Sequence, residues 1–225
     1  MSASVFVFDL DGTLVDTKPD LAAALNAVLH AEGLARVMPD ALGHLYGQGA
    51  RAMLCRGLAE NGIDTPDEGL LDRLQTAFIA HYAEHIAVES RPFPGALEAV
   101  AALRAQGHKT AICTNKKEHL ALRLLDVLGL TGSFDALVGG DTFACSKPHA
   151  EPLLGAIARA GGEPTRAVMI GDSRTDIDAA RNARIPVVAV TFGYSDTPVA
   201  QLSPDAVISH FDALARALAD LSHTA

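Results

Sequence analysis

The stretch VFVFDLDGTLVDT, residues 5–17, decides how the rest of the chain is read. Val5, Phe6, Val7 and Phe8 are all apolar, the composition of a short strand buried on both faces of a sheet. Asp9 and Asp11 follow at once. In an open parallel sheet, ligands bind outside the carboxyl ends of the strands. A hydrophobic strand that runs straight into two acids therefore holds them out toward a ligand.

Four more apolar runs have the same character: KTAICT (109–114), FDALVGG (134–140), AVMIG (167–171) and PVVAV (186–190), with a weaker sixth in DAVIS (205–209). From about residue 95 they alternate with helical patterns such as GALEAVAALRAQG, EHLALRLLDVLGL and TDIDAARNARI. Near-continuous apolar strands alternating with amphipathic helices predict an open, doubly wound, mainly parallel α/β sheet, and right-handed crossovers leave it few topologies. Residues 18–87 break the rhythm. PDLAAALNAVLHAEGL, PDALGHLYGQGARAMLCRGLAENG and PDEGLLDRLQTAFIAHYAEHIA carry helical spacing and no convincing strand, and SRPFPG marks the return to the sheet. The expected organisation is a core of residues 1–17 and 88–225 with an all-helical cap, 18–87, inserted after the first strand.

The strand-end rule brings distant residues together. Asp9 and Asp11 leave the first strand, Thr114 and Asn115 leave KTAIC, and Asp172 leaves AVMIG with Asp176 one helical turn on. Lys147, in SKP, comes from the connection after the third run. Taken alone, Asp176 or Thr114 is an ordinary cap or turn residue. The set differs because DLDGT, TN, SKP and GDSRTD each fall at an expected strand exit. Four clustered carboxylates repel one another and need a cation to stay ionised. Hard oxygen ligands with a free face suit Mg²⁺, which keeps water and a phosphate oxygen in its shell. Lys147 adds the second positive charge that a phosphate dianion requires.

Composition excludes several alternatives. The chain has 225 residues, nearly half of them apolar, and a net charge of −9. Lys and Arg are dispersed, which argues against a nucleic-acid partner, and an anionic substrate needs a local cation because the overall field repels it. No apolar run approaches the roughly 18 residues of a membrane span. The start SVFVF lacks the basic region and cleavage site of an export signal. Cys55, Cys113 and Cys145 match no zinc or disulfide spacing, so reduced thiols in the cytoplasm are expected. A monomer and a homodimer both fit.

With these four segments in view, the chain resembles a haloacid-dehalogenase-superfamily phosphatase over essentially its whole length. DLDGTLVDT is similar to the first motif of that superfamily, CTNK to the second, SKPHAEPL to the third and GDSRTDIDAA to the fourth. GQGARAMLCRGLA, SRPFPGALEAVAALRAQG and GGDTF…SKP are most similar to bacterial phosphoglycolate phosphatases, although related sugar phosphatases share much of this wording. The resemblance implies a Rossmann-like core with a cap, and Mg²⁺-dependent hydrolysis of a small phosphate monoester, 2-phosphoglycolate first and a sugar phosphate second. It implies Asp9 as the nucleophile that becomes an aspartyl-phosphate, Asp11 as acid and then base, Thr114 and Asn115 on the phosphoryl oxygens, and Lys147 against the nucleophile. Mg²⁺ would be held by the Asp9 carboxylate, the Asp11 backbone carbonyl and Asp172, with Asp176 orienting a bound water. Ala150 stands where many relatives have a second proline. Thr13 is the residue of the phosphatases rather than the mutases.

The cap loop GQGARA (47–52) fits a dinucleotide fingerprint but lacks the preceding strand that motif needs. In the resembled family this loop faces the substrate; Gly47 and Gly49 would let backbone amides approach an anion. Arg51 could meet a substrate carboxylate, and reads equally as a solvated helix-face residue. HYAEH (81–85) matches a zinc-peptidase pattern through His81, Glu84 and His85, but no third ligand is evident. Cys113 reads as a small core residue. Lys116 leans toward the site and Lys117 is solvated. A cap hinged at about residues 16–18 and 88–92 would close over the sheet edge and restrict the enzyme to small esters.

Overall fold

The computed structural model describes residues 4–222; the outermost residues of the expected core, 1–3 and 223–225, lie outside the described residues. In chain order the elements are β1 (Val5–Phe8), β2 (Val15–Asp16), α1 (Lys18–Ala31), α2 (Pro39–Leu42), α3 (Ala50–Ala59), α4 (Glu68–Glu84) and β3 (Arg91–Pro92). Then come α5 (Ala96–Ala105), β4 (Lys109–Cys113), α6 (Glu118–Val127), β5 (Ala136–Val138), α7 (Ala150–Arg159) and β6 (Ala167–Gly171). The chain finishes with α8 (Arg174–Ala183), β7 (Val187–Val190), β8 (Ala206–Ile208) and α9 (Leu214–Ser222).

All six expected strands form one parallel sheet in the order β5-β4-β1-β6-β7-β8. The apolar runs are continuous because both faces are covered. Val5 and Val7 point into a core with Ala111, Met169 and helices α7 and α8, through Leu153, Ile157 and Ile177. Phe6 and Phe8, one residue out of step, join Ile112, Ile170 and helices α5 and α6 on the opposite face. That is the two-residue period of a strand expressed on two cores. The second core continues into α1, α3 and α4 through Leu25, Leu54 and Leu74, so the helical segment shares its apolar packing with the sheet.

The run 134–140 yields a strand of three residues only. Asp135 turns its carboxylate back to the Thr110 N–H and to Lys109 and Arg104. At the other end Gly139 and Gly140 pass against backbone: an added Cβ would lie 2.4 Å from Glu118 N and 2.3 Å from Asn115 O. Close approach to the segment after β4, rather than pairing, sets the limit of β5.

Two short strands were not anticipated. β2 and β3 pair antiparallel, Val15 with Pro92 and Asp16 with Arg91, which ties together the chain leaving for the helices and the chain returning from them. Asp20, buried in the first turn of α1, reinforces this by accepting from Glu89 N (3.0 Å), Ser90 N (2.8 Å) and Ser90 Oγ (2.6 Å).

Candidate active site

Register sets the site. Phe8 of β1 lies beside Ile112 of β4 and Ile170 of β6, so the three strands end level. Asp9, Thr114 and Asp172 therefore emerge within a residue or two of one another. Asp9 N donates to Ile170 O at 2.9 Å, keeping the first acid in line with the sheet. Asp9 Oδ1 accepts from Leu10 N at 2.7 Å and lies 3.0 Å from Lys147 Nζ.

The turn after β6 is built around its own acids. Ser173 caps α8, and Asp176 returns the bond in a reciprocal capping box. Asp176 Oδ2 accepts from Ser173 Oγ (2.7 Å), Ser173 N (3.1 Å) and Asp172 N (3.2 Å), while Oδ1 receives Lys147 Nζ at 2.6 Å. Asp172 is held from both sides, by Thr13 Oγ1 at 3.0 Å and Tyr194 N at 2.6 Å. Gly12 lies at φ +85°, and a Cβ there would come within 2.6 Å of Asp172 Oδ2; the turn of DLDGT needs glycine for both reasons. Asn115 clamps Lys147 in place, its Nδ2 donating to Lys147 O and its Oδ1 accepting from Lys147 N, each at 3.0 Å. The Thr114 hydroxyl accepts from Lys116 N at 3.2 Å.

Asp11 points away from this group. Its Oδ1 accepts from Thr17 Oγ1 at 2.6 Å, and Lys116 Nζ reaches both carboxylate oxygens, at 2.8 and 3.0 Å. Thr17 sits at the N-cap of α1 but makes no cap bond; its hydroxyl goes to Asp11 instead. The Lys116 ammonium also lies 4.6 Å from the ring centroid of Tyr82 on α4.

A cavity of about 420 Å³ opens over these groups, walled on the core side by Asp9, Asp11, Lys116 and Asp172 and on the other by Gly47, Gly49 and Tyr82. Gly47 and Gly49 thus line the cavity. Arg51 does not, and the expected contact with a substrate is corrected. Its Nη1 donates to Asp72 Oδ1 at 2.8 Å and its Nη2 pairs with Glu68; it is absent from the cavity wall. The acidic first turns of α4 meet α3 there and take the guanidinium. His81 and His85 stack with ring centroids 4.4 Å apart, and His85 Nδ1 lies 3.0 Å from His81 O. Among the described residues these two and Glu84 gather no third metal ligand, so the peptidase pattern is a coincidence of spacing. Cys113 is fully buried and its thiol is pushed up to about 12 by burial, as a core residue's would be.

The three carboxylates of Asp9, Asp172 and Asp176 offer oxygens within 4.8 Å of one another, the one such cluster among the described residues. Burial raises Asp9 from 3.8 to about 7; Lys147 works against that rise, Asp176 and Asp11 with it. Asp172 is also pushed well up, by burial first and then by Asp176 and Asp9. For Lys147, burial alone would lower the ammonium, but Asp176 and Asp9 hold it above its ordinary value. One resident cation is insufficient for three clustered acids, two of them buried, and an all-oxygen donor set of this kind fits a divalent metal ion.

A family model of haloacid dehalogenase-like hydrolases matches residues 3–184. A phosphoglycolate phosphatase of Agrobacterium fabrum is 51% identical over 94% of this chain and 91% of its own. One of Mesorhizobium japonicum is 48% identical over 98% and 96%. A crystal structure described as a predicted phosphoglycolate phosphatase from Haemophilus somnus superposes with a TM-score of 0.88 at 30% identity, covering 95% of this chain and 97% of that one.

Proposed function

The chain belongs to the haloacid dehalogenase-like hydrolases, and from that premise we propose that it is a phosphatase that hydrolyses 2-phosphoglycolate to glycolate and inorganic phosphate. The observation that carries the chemistry is the placement of Asp9 at the end of the central strand, 3.0 Å from a buried ammonium and beside a second, separately held acid, Asp11.

Asp9 attacks phosphorus, the bond to the ester oxygen breaks, and an aspartyl-phosphate forms. Asp11 gives its proton to the departing alkoxide; it then takes one from the water that attacks the phosphorus of the intermediate, so that Asp9 and Asp11 return to their starting states. Lys147 neutralises charge on the transferring group, the dominant contribution in such reactions. Thr114 and Asn115 face the phosphoryl oxygens, and Asn115 keeps Lys147 on station through its peptide. Asp9, the Asp11 backbone carbonyl and Asp172 would hold a divalent ion, which we assign as Mg²⁺, with Asp176 behind them. Bound there, it supplies the charge that lets a carboxylate approach a phosphate dianion.

Residues 18–87 act in this scheme as a cap hinged at the β2–β3 pair, and the loop at Gly47 and Gly49 closes the cavity against bulk water. The substrate is then a small ester rather than a macromolecule. Among the described residues no helix is long and apolar enough to cross a membrane; with three unpaired cysteines, we place the reaction in the cytoplasm. The test is a panel of kcat/KM values for 2-phosphoglycolate and several sugar phosphates, with and without Mg²⁺. We expect 2-phosphoglycolate to lead by about tenfold or more and turnover to require the metal. A sugar phosphate in the lead would overturn the substrate assignment.

A further inference from the structure

The chemistry above leaves one buried cation without a task. Lys116 follows the phosphoryl-binding pair, its side chain is only 6% exposed, and it faces the cavity. Other positive groups near the cavity are spoken for or peripheral: Lys147 serves Asp9 and Asp176, Arg51 is taken by Glu68 and Asp72 outside the wall, and Lys117 and Arg174 are exposed at the rim. The Lys116 ammonium is paired with both carboxylate oxygens of Asp11 on the cavity wall.

We propose that Lys116 is the receptor for the carboxylate of the substrate, and that Tyr82 positions it; this rests on the reading of the substrate as 2-phosphoglycolate. The argument is one of reach. In that ester a single methylene separates the ester oxygen from the carboxylate carbon. Asp11 must touch the ester oxygen to protonate it, so the group that recognises the carboxylate must be a near neighbour of Asp11. Lys116 is bonded to it, at 2.8 and 3.0 Å. An ammonium has three N–H donors; two are directed at the Asp11 oxygens, and one remains for a ligand. The ammonium also lies 4.6 Å from the centroid of the Tyr82 ring, so the cap contributes a ring face to this cation. Because Tyr82 belongs to α4 and Lys116 to the core, the contact couples cap position to the cation that reads the substrate.

The experiment compares 2-phosphoglycolate with ethyl phosphate, which lacks the carboxylate. In Lys116→Met the ratio of kcat/KM for the two esters should fall by about thirtyfold, the loss expected of one charge-assisted hydrogen bond, and Lys116→Arg should recover much of it. Tyr82→Leu should raise KM for 2-phosphoglycolate more than it changes kcat. Inhibition of ethyl phosphate hydrolysis by glycolate should weaken about tenfold in Lys116→Met, a readout of binding alone. A preference for 2-phosphoglycolate in the unaltered enzyme that survives Lys116→Met overturns the receptor and leaves the substrate assignment standing. Equal handling of the two esters by the unaltered enzyme overturns the substrate assignment, and the receptor with it.

Discussion

Lys147 Nζ stands 2.6 Å from Asp176 Oδ1, in a pair whose side chains are 2% and 0% exposed. The same nitrogen is the only cation among the described residues that reaches Asp9. Its removal in Lys147→Met leaves the buried Asp172 and Asp176, and Asp9 beside them, without a counter-charge. Losing one partner of a buried pair costs about 3–5 kcal/mol, so metal-free urea unfolding should show a loss of at least about 3 kcal/mol. Millimolar Mg²⁺ should restore more stability to this variant than it adds to the unaltered protein. Equal responses to Mg²⁺ would mean that Lys147 and the metal do not share the same acids.

Asp9 is the nucleophile in the proposed reaction, and no neighbour can replace it: Asp11 is turned toward Thr17 and Lys116, and both oxygens of Asp172 and Asp176 accept protein donors. Asp9→Asn should therefore lower kcat by at least about 10⁴-fold, the scale of losing a nucleophile. Acid quench of the unaltered enzyme during turnover should leave phosphate on the peptide that contains residue 9. Label on any other peptide would remove Asp9 from its assigned role.

Much of this site is legible in the sequence because its parts sit at the ends of strands, and strand ends follow from apolar runs. Asp9, Thr114, Asp172 and Asp176 could be gathered without coordinates for that reason, and Lys147 joined them through SKP, in the connection between β5 and α7. Even the Ser173–Asp176 capping box has a readable spacing. The supporting contacts are different. Tyr194 follows β7, yet its N–H holds Asp172 and its hydroxyl donates to Asp16 Oδ1 at 2.8 Å; no local pattern announces a residue that acts 178 positions away in the chain. Tyr82 looks like a core aromatic of a helix, which it also is. Arg51 misled because a basic residue beside a glycine loop suggests an anion site, whereas its partners lie on a different helix, at Glu68 and Asp72.

The raised acids predict a pH dependence of defined sign. Asp9 goes from 3.8 to about 7 through burial, opposed by Lys147 and aided by Asp176 and Asp11; Asp172 shifts the same way. A carboxyl with a raised folded pKa binds more protons folded than unfolded, so its contribution to stability falls as pH rises from its unfolded value to its folded one. In chelator, unaltered protein should lose stability relative to Asp9→Asn between pH about 4 and about 7, with no further relative loss above. Added Mg²⁺ should stabilise the unaltered protein more at the upper end of that range, because the ion competes with protons for the same oxygens. Urea midpoints across the range test both statements. A relative gain of the unaltered protein with rising pH, in the absence of metal, would show that Asp9 is ionised in the fold throughout.

The last prediction concerns the hinge proposed for the cap. Asp20 is 4% exposed and accepts from three donors of the returning chain, Glu89 N, Ser90 N and Ser90 Oγ. Asp20→Ala strands two backbone donors and one hydroxyl at the junction where β2 meets β3. Each buried donor left without an acceptor costs about 1–3 kcal/mol, and water admitted at the junction offsets part of it, so a loss of about 3 kcal/mol is expected in urea. The effect should be local as well as global, because the bonds lost are those that hold the outgoing and returning chains side by side. Protease should then cut preferentially between residues 86 and 92, and KM for the ester should rise as the cap is held less firmly over the cavity. Asp20→Asn keeps one acceptor oxygen and should fall between the two proteins on all three measures. Proteolysis that stays unchanged while global stability drops would assign Asp20 to packing alone and leave hinge control to the β2–β3 pair.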